Sequence, residues 1–175
     1  MIDSSTPLLG FAAWSGTGKT TLLKQLIPLL KADGVRLAAV KHTHHEVEFD
    51  QPGKDSYELR HAGADQVLVA SAHRSMLISE NQTLAAEPNL QQLLPQLNHE
   101  QIDLILVEGF KHEPIPRIEL HRSALGKPLL YPEDTQIIAI ALSSEETIAP
   151  TIPRLDLNNP QQIANHIKQQ LLLRT

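Results

Sequence analysis

The chain has 175 residues, with 15 Lys and Arg against 20 Asp and Glu and no Cys, a length that suits one α/β domain better than two. A net charge of −5 and a supply of one Trp, two Tyr and three Phe argue against a general electrostatic or stacking grip on nucleic acid. The missing thiol excludes disulfides, thiolate catalysis and cysteine-based zinc sites, which leaves nine histidines to be explained.

The first seven residues carry no basic leader, and no apolar run approaches the roughly 18 residues of a membrane span. A soluble, cytoplasmic protein without membrane partners is expected. Short apolar runs then alternate with helical patterns, which predicts βαβ units and a mainly parallel sheet flanked by helices. Residues 8–13 form the first strand. Residues 20–32 form a helix with Leu22, Leu23, Leu26, Ile27 and Leu30 on one face, Pro28 inside it and Gly34 placed to end it. Residues 35–41 read as the second strand and 54–61 as a short helix. Residues 66–70 and 75–79 read as a short antiparallel pair turning at 72–74. A helix over 90–97, a buried strand over 103–107 and a half-exposed, alternating strand over 117–121 follow. Residues 136–142 read as another buried strand. Asn159-Pro160 is an N-cap with proline at the first helical position, opening a helix to residue 173.

The strongest motif is Ala13-Trp14-Ser15-Gly16-Thr17-Gly18-Lys19-Thr20-Thr21, set between an apolar strand and an amphipathic helix, the context a phosphate loop requires. Its glycines free the backbone so that successive N–H groups face phosphate oxygens, and the helix start adds its positive end. Lys19 is placed to reach β- and γ-phosphates, and the Thr20 hydroxyl to ligate Mg²⁺. Ala13 stands where the strict pattern has glycine. A second carboxylate for the metal is offered by Glu108, where the apolar run 104–107 stops at the carboxyl edge of the sheet. Asp103 begins that run and is expected at the opposite edge.

Lys41-His42-Thr43-His44-His45 follows the second strand directly, with Glu46, Glu48 and Asp50 close behind. Lys41 and His42 are candidates to face the nucleotide, and Asp50 for a further magnesium-shell carboxylate. Lys54, at a helix start, is a further cation for phosphate. The cluster His42, His44 and His45, with His112 or a carboxylate, is also a candidate transition-metal store, though its spacing lacks the i, i+4 arrangement of helical zinc sites. A metallochaperone-type GTPase and a small-molecule P-loop kinase therefore stand beside a plain nucleotide-binding reading.

Taken in order, residues 15–21, 40–45, 50–56 (Asp-Gln-Pro-Gly-Lys-Asp-Ser), 62–64 (Ala-Gly-Ala) and 107–111 (Val-Glu-Gly-Phe-Lys) resemble the MobB family of molybdopterin-guanine dinucleotide biosynthesis adaptor proteins. The resemblance implies a single P-loop NTPase domain over residues 1–175 that binds GTP with Mg²⁺ and is at most a weak GTPase. It implies assistance to a guanylyltransferase that attaches GMP to molybdopterin, contact with GTP or the pterin, and a homodimer with strand exchange. On the matching positions it assigns Lys19 and Glu108 to catalysis. Ser15, Gly16, Thr17, Gly18, Lys19, Thr20, Thr21, Lys41, His42, Asp50 and Lys54 are assigned to ligand binding, and Thr20 and Glu108 to the metal. No Asn-Lys-x-Asp element is present to read guanine, so backbone groups around Ser143-Ser144 are expected to read the base. Arg117 and Arg122 are candidates for charge stabilisation.

Overall fold

The computed structural model describes residues 2–43, 47–48, 50–80 and 87–172. These fall into two compact units, residues 1–42 with 89–175, and residues 43–88.

The first unit is built on a six-stranded sheet in the order β2–β5–β1–β6–β7–β8, all of it parallel. Its strands are β1 (Leu8–Ala13), β2 (Leu37–Lys41), β5 (Leu104–Glu108), β6 (Arg117–Leu120), β7 (Ile137–Leu142) and β8 (Arg154–Asp156). Side chains alternate across it. Leu9 and Phe11 of β1, Leu104 and Leu106 of β5, and Ile118 and Leu120 of β6 meet α1 (Lys19–Ala32) and α4 (Pro160–Ile167) through Leu22, Leu26, Leu30, Ile163 and Ile167. On the other side Leu8, Ile105 and Val107 pack with Phe110 and Ile115 and with Leu90 and Leu94 around α3 (Leu90–Leu93). Each such leucine, fully buried, contributes on the order of 2 kcal/mol.

Local chemistry sets the boundaries. α1 runs unbroken through Pro28 and stops where Gly34, at φ 82°, lets the Gly34 and Val35 N–H groups bond the carbonyls of Lys31 and Leu30 at 3.0 and 3.1 Å, a Schellman-type close. That engagement of Val35 delays β2. Arg36 gives its N–H to the Asp103 carboxylate at 2.8 Å instead of to a strand, so the ladder begins at Leu37, two residues later than the sequence suggests. The guanidinium of Arg36 grips Asp103 at 2.7 and 3.0 Å at the amino edge, as the position of Asp103 at the start of its run requires. This hydrogen-bonded pairing lowers the Asp103 carboxyl to about 2. The helix expected over 90–97 is one α-helical turn followed by a 3₁₀ turn, Leu94–Gln96, because Pro95 lacks the N–H that would continue it. Asn159 does cap α4, accepting from the Gln162 N–H at 3.0 Å. That helix passes into a π-helical turn over Lys168–Leu172, and the expected end at residue 173 lies outside the described residues. β8, only three residues long, is too short to show in the sequence pattern.

One expectation is overturned. β6 was expected to be half-exposed from its polar–apolar alternation, yet all four of its residues are buried. It lies between β1 and β7, and its polar face, Arg117 and Glu119, is roofed by loops that bond those two charges.

The second unit contains α2 (Asp55–His61) and the antiparallel hairpin β3 (Gln66–Ala70) and β4 (Ser75–Ser79), turning over residues 71–74, one residue more than the expected 72–74. Arg60 ties it together by pairing with Glu80 at 2.8 Å and with Glu48, and Tyr57 stacks on His61 with ring centroids 3.8 Å apart. Val67 and Ile78 are buried, whereas Leu68 and Leu77, opposite each other in the register, are 66% and 50% exposed.

Candidate functional site: a phosphate loop with two cavities

Between β1 and α1 the chain makes a loop that closes on itself. Thr17 is buried, and both its N–H (3.3 Å) and its hydroxyl (2.7 Å) donate to the carbonyl of Trp14. Gly16 and Gly18 sit at φ 83° and 101°, where a Cβ is disfavoured. Ala13 needs no such freedom: it ends β1 in strand conformation, and Phe110 is the one described non-glycine residue with positive φ. This is why alanine is accommodated at a position where the strict motif has glycine. Arg122, just beyond β6, donates from Nε to the Thr17 carbonyl at 3.0 Å, so the loop is braced from a neighbouring strand as well. Ser15, Gly16, Thr20 and Thr21 are exposed around it.

The parallel register brings the charges together. Lys41 of β2 lies opposite Glu108 of β5, and Glu108 Oε1 is 3.6 Å from Lys19 Nζ and 3.8 Å from Lys41 Nζ. One carboxylate thus stands between two ammonium groups at the carboxyl edge, the edge where ligands of open α/β sheets bind. The Thr20 hydroxyl and the Glu108 carboxylate are hard oxygen donors of the kind Mg²⁺ takes.

Just after Glu108 the backbone approaches another segment closely. The His42 N–H donates to the Glu108 carbonyl at 2.8 Å, and a Cβ added to Gly109 would lie 2.8 Å from the His42 Cβ. The His42 ring packs on Phe110 with centroids 5.1 Å apart. His42 is therefore beside the Lys19–Glu108–Lys41 group. His44, His45 and Glu46 lie outside the described residues. Among the described residues no group of three or more His, Asp or Glu is arranged to hold a metal ion.

Asp50 and Lys54 belong to the second unit. Asp50 Oδ1 accepts the Gln51 N–H at 2.8 Å, and a hydrogen bond from Ser56, then that from Gln51, holds its carboxyl below the ordinary value. The Lys54 carbonyl accepts from Glu58 at 3.0 Å, in the first turn of α2.

Two cavities of about 420 Å³ each flank the loop and share no lining residue. The first opens on Gly16, Gly18 and Thr21 and reaches Gln25, Arg122 and Asn158; Arg122 was a candidate from the sequence, whereas Gln25 and Asn158 are additions that no motif announced. The second lies against Ala12, Trp14 and Lys19 and reaches Lys111 and Leu130. A larger cavity, about 550 Å³, sits by Asp33 and Asp103 at the amino edge, away from the phosphate loop.

The two arginines considered for charge stabilisation part company. Arg122 stands at the first cavity. Arg117 does not have a free guanidinium: it is buried, donates to the carbonyls of Phe110 (3.1 Å), Lys111 (3.0 Å) and Glu113, and pairs with Asp134 at 3.2 Å. Its charge is committed within the fold, which corrects that expectation. Ser143, expected near the base, has its carbonyl engaged by Arg154 at 3.1 Å. Among the described residues no helix is long and apolar enough to cross a membrane.

Comparison with known proteins identifies a family. The family model described as molybdopterin guanine dinucleotide synthesis protein B (MobB) matches residues 8–143. The chain is 49% identical over 162 residues to the molybdopterin-guanine dinucleotide biosynthesis adapter protein of Escherichia coli (strain K12), covering 92% of this chain and 91% of that one. It is 42% identical over 171 residues to the protein of the same name from Haemophilus influenzae, covering 97% and 92%. A crystal structure of molybdopterin-guanine biosynthesis protein B (mobB) superposes with a TM-score of 0.73 at 25% identity, covering 96% of this chain and 99% of that one. The chain belongs to the MobB family.

Proposed function

We propose that this member of the MobB family is an adapter of molybdopterin-guanine dinucleotide synthesis that binds GTP with Mg²⁺ at the phosphate loop and supports a partner guanylyltransferase. The observation that carries this reading is the Glu108 carboxylate held between Lys19 and Lys41 at the mouth of a closed phosphate loop. The N–H groups of Ser15, Gly16, Gly18 and Lys19 take the phosphate oxygens, and the positive end of α1 supports them. Lys19 bridges the outer phosphates, Lys41 and His42 border them, and Thr20 with Glu108 holds the metal, which when bound neutralises phosphate charge. Ligand binding would draw Lys19 from carboxylate to phosphate and free Glu108 for the cation. Thr21, Gln25 and Asn158 border the first cavity, which suits the nucleoside, with backbone groups around residues 143–144 other than the engaged Ser143 carbonyl reading the base. Residues 1–175 serve a single GTP-binding function. Any GTP hydrolysis is slow and accessory to the partner's bond-making step. The exposed Leu68–Leu77 pair of the hairpin supports a homodimer that covers it, since paired apolar side chains on a strand face invite association.

The test is calorimetric titration of the whole protein with GTP, ATP and GDP, with and without Mg²⁺. Tight binding of GTP that needs Mg²⁺, lost in Lys19→Ala while circular dichroism stays unchanged, is expected. Equal GTP affinity in parent and variant would overturn the phosphate-loop reading. A preference for ATP with a phosphorylated acceptor would replace it by a kinase.

A further inference from the structure

β6 carries two charges into the centre of the sheet. Arg117 is 4% exposed and Glu119 is wholly buried; two apart on a strand, they point to the same face. Burying charge is costly unless every bond is satisfied, and the bonds these two make go to two loops. Arg117 holds the carbonyls of Phe110, Lys111 and Glu113 together with the Asp134 carboxylate. Glu119 accepts the N–H groups of Leu130 and Tyr131 at 2.8 Å each. Gly10 makes this possible, because a Cβ there would come within 3.0 Å of the Arg117 stem. A third tie closes the rim, the Trp14 indole N–H donating to the Pro128 carbonyl at 2.9 Å.

The segments so pinned wall the second cavity, whose volume of about 420 Å³ falls within the roughly 300–1,000 Å³ of small-molecule sites. Its chemistry is in three parts. Ala12, Trp14 and Leu130 give apolar wall, Lys19 and Lys111 give positive charge, and Glu133 and Asp134 give carboxylate acceptors. Asp134 already serves Arg117 and the Gln136 N–H, which leaves Glu133 as the acceptor for a ligand. A ligand matching all three has a flat face, an edge of N–H donors and an anionic group.

We propose that this cavity is a second ligand site that takes a phosphate-bearing fused 2-amino-4-oxopyrimidine ring, the chemistry a pterin shares with guanine. The ring packs against Trp14 and Leu130, its amino edge donates to Glu133, and its phosphate meets Lys111 and Lys19. The assignment deepens the GTP-adapter reading and rests on it in one respect: a GTP held in the phosphate loop has its nucleoside in the first cavity, so the second is left for the pterin. Lys19 then lies between the two ligands.

The experiment titrates 6-hydroxymethylpterin phosphate into the whole protein, alone and with saturating GTP and Mg²⁺, reading calorimetry and pterin emission. GMP is titrated into the GTP-loaded protein in a parallel arm. Binding of GTP itself is followed separately with a fluorescent GTP analogue, so failure of the phosphate loop and failure of the second cavity are told apart. Expected is saturable pterin phosphate binding that survives GTP, with emission quenching lost in Trp14→Leu. Glu133→Ala should weaken that binding about tenfold, the worth of a hydrogen bond to a charged acceptor, and leave the GTP analogue untouched. Ala12→Leu, which fills the wall, should abolish it with circular dichroism unchanged. Binding of GMP alone in the parallel arm would support the site and name guanine as its source. Displacement of the pterin phosphate by GTP, absence of binding, or indifference to both Glu133→Ala and Ala12→Leu would overturn the proposal.

Discussion

Replacing Gly109 with alanine puts the approach of two chain segments at the site under a quantitative test. Gly109 sits at φ 87°, and its added Cβ would lie 2.8 Å from the His42 Cβ and 3.3 Å from the His42 carbonyl oxygen. The left-handed backbone alone costs an L-residue about 1–2 kcal/mol, and crowding in a packed region adds about 1–3 kcal/mol. The expected loss is therefore about 2–5 kcal/mol. Gly34 supplies the control: its φ is 82°, and a Cβ there meets nothing within 4 Å. Gly34→Ala should show the backbone cost alone, and the difference between the two variants isolates the contact with His42. Thermal unfolding followed by circular dichroism reads both, at about 2–4 °C per kcal/mol for a chain of this size. In a His42→Gly background the excess cost of Gly109→Ala should shrink, because the nearest atom is gone. Equal losses for Gly109→Ala and Gly34→Ala would refute the close approach.

Glu119→Gln replaces one accepting oxygen by a donor facing a backbone N–H, so it should destabilise by about 1–3 kcal/mol, measured by urea unfolding. Burial, before any other influence, raises the Glu119 carboxyl above its ordinary value. The folded state then holds that proton more firmly than the unfolded chain, and stability should fall as pH rises from the ordinary carboxylate value through the raised one. The Gln variant should lack that limb. Asp103 has the opposite sign: Arg36 lowers it from 3.8 to about 2, so its contribution is present above 3.8 and fades as pH drops toward 2. Asp103→Asn should flatten the acid limb of a stability–pH curve in that window, while leaving nucleotide affinity as it was. Asn159→Ala removes the α4 cap and should cost about 1 kcal/mol, seen as an earlier thermal midpoint.

What could be read from the sequence follows from how local each determinant is. β1, α1 and the loop between them are encoded by adjacent residues, so periodicity and glycine spacing suffice. Glu108 and Lys41 were placed on one edge because parallel neighbours end together, and the register pairs them. What escaped depends on neighbours distant in the chain. The alternation of 117–120 is genuine, but only the sheet order reveals that its polar side is covered, since residues 130 and 131 supply the N–H groups that let Glu119 stay inside. Arg117 looked available for the same reason: the carbonyls that occupy it carry no signature in sequence. Gln25 and Asn158 join Arg122 at one cavity from separate parts of the chain, and no motif links them to it.

The sheet order also governs when the site can come into being during synthesis. β1, the strand that delivers the phosphate loop, has β5 and β6 as its partners, and both are made long after it. β2 waits as well, since its described pairing is with β5. A nascent chain that has emerged through residue 80 has its second-unit hairpin complete, but β1 still lacks both flanking strands and presents Leu8, Leu9 and Phe11 without their sheet neighbours. Long-range parallel pairing of this kind forms slowly and leaves apolar strand exposed meanwhile. The loop acquires its bracing from Arg122 only after β6 has been made. The phosphate loop is therefore completed late in the growing polypeptide, although it is made before β5 and β6, the strands that flank it.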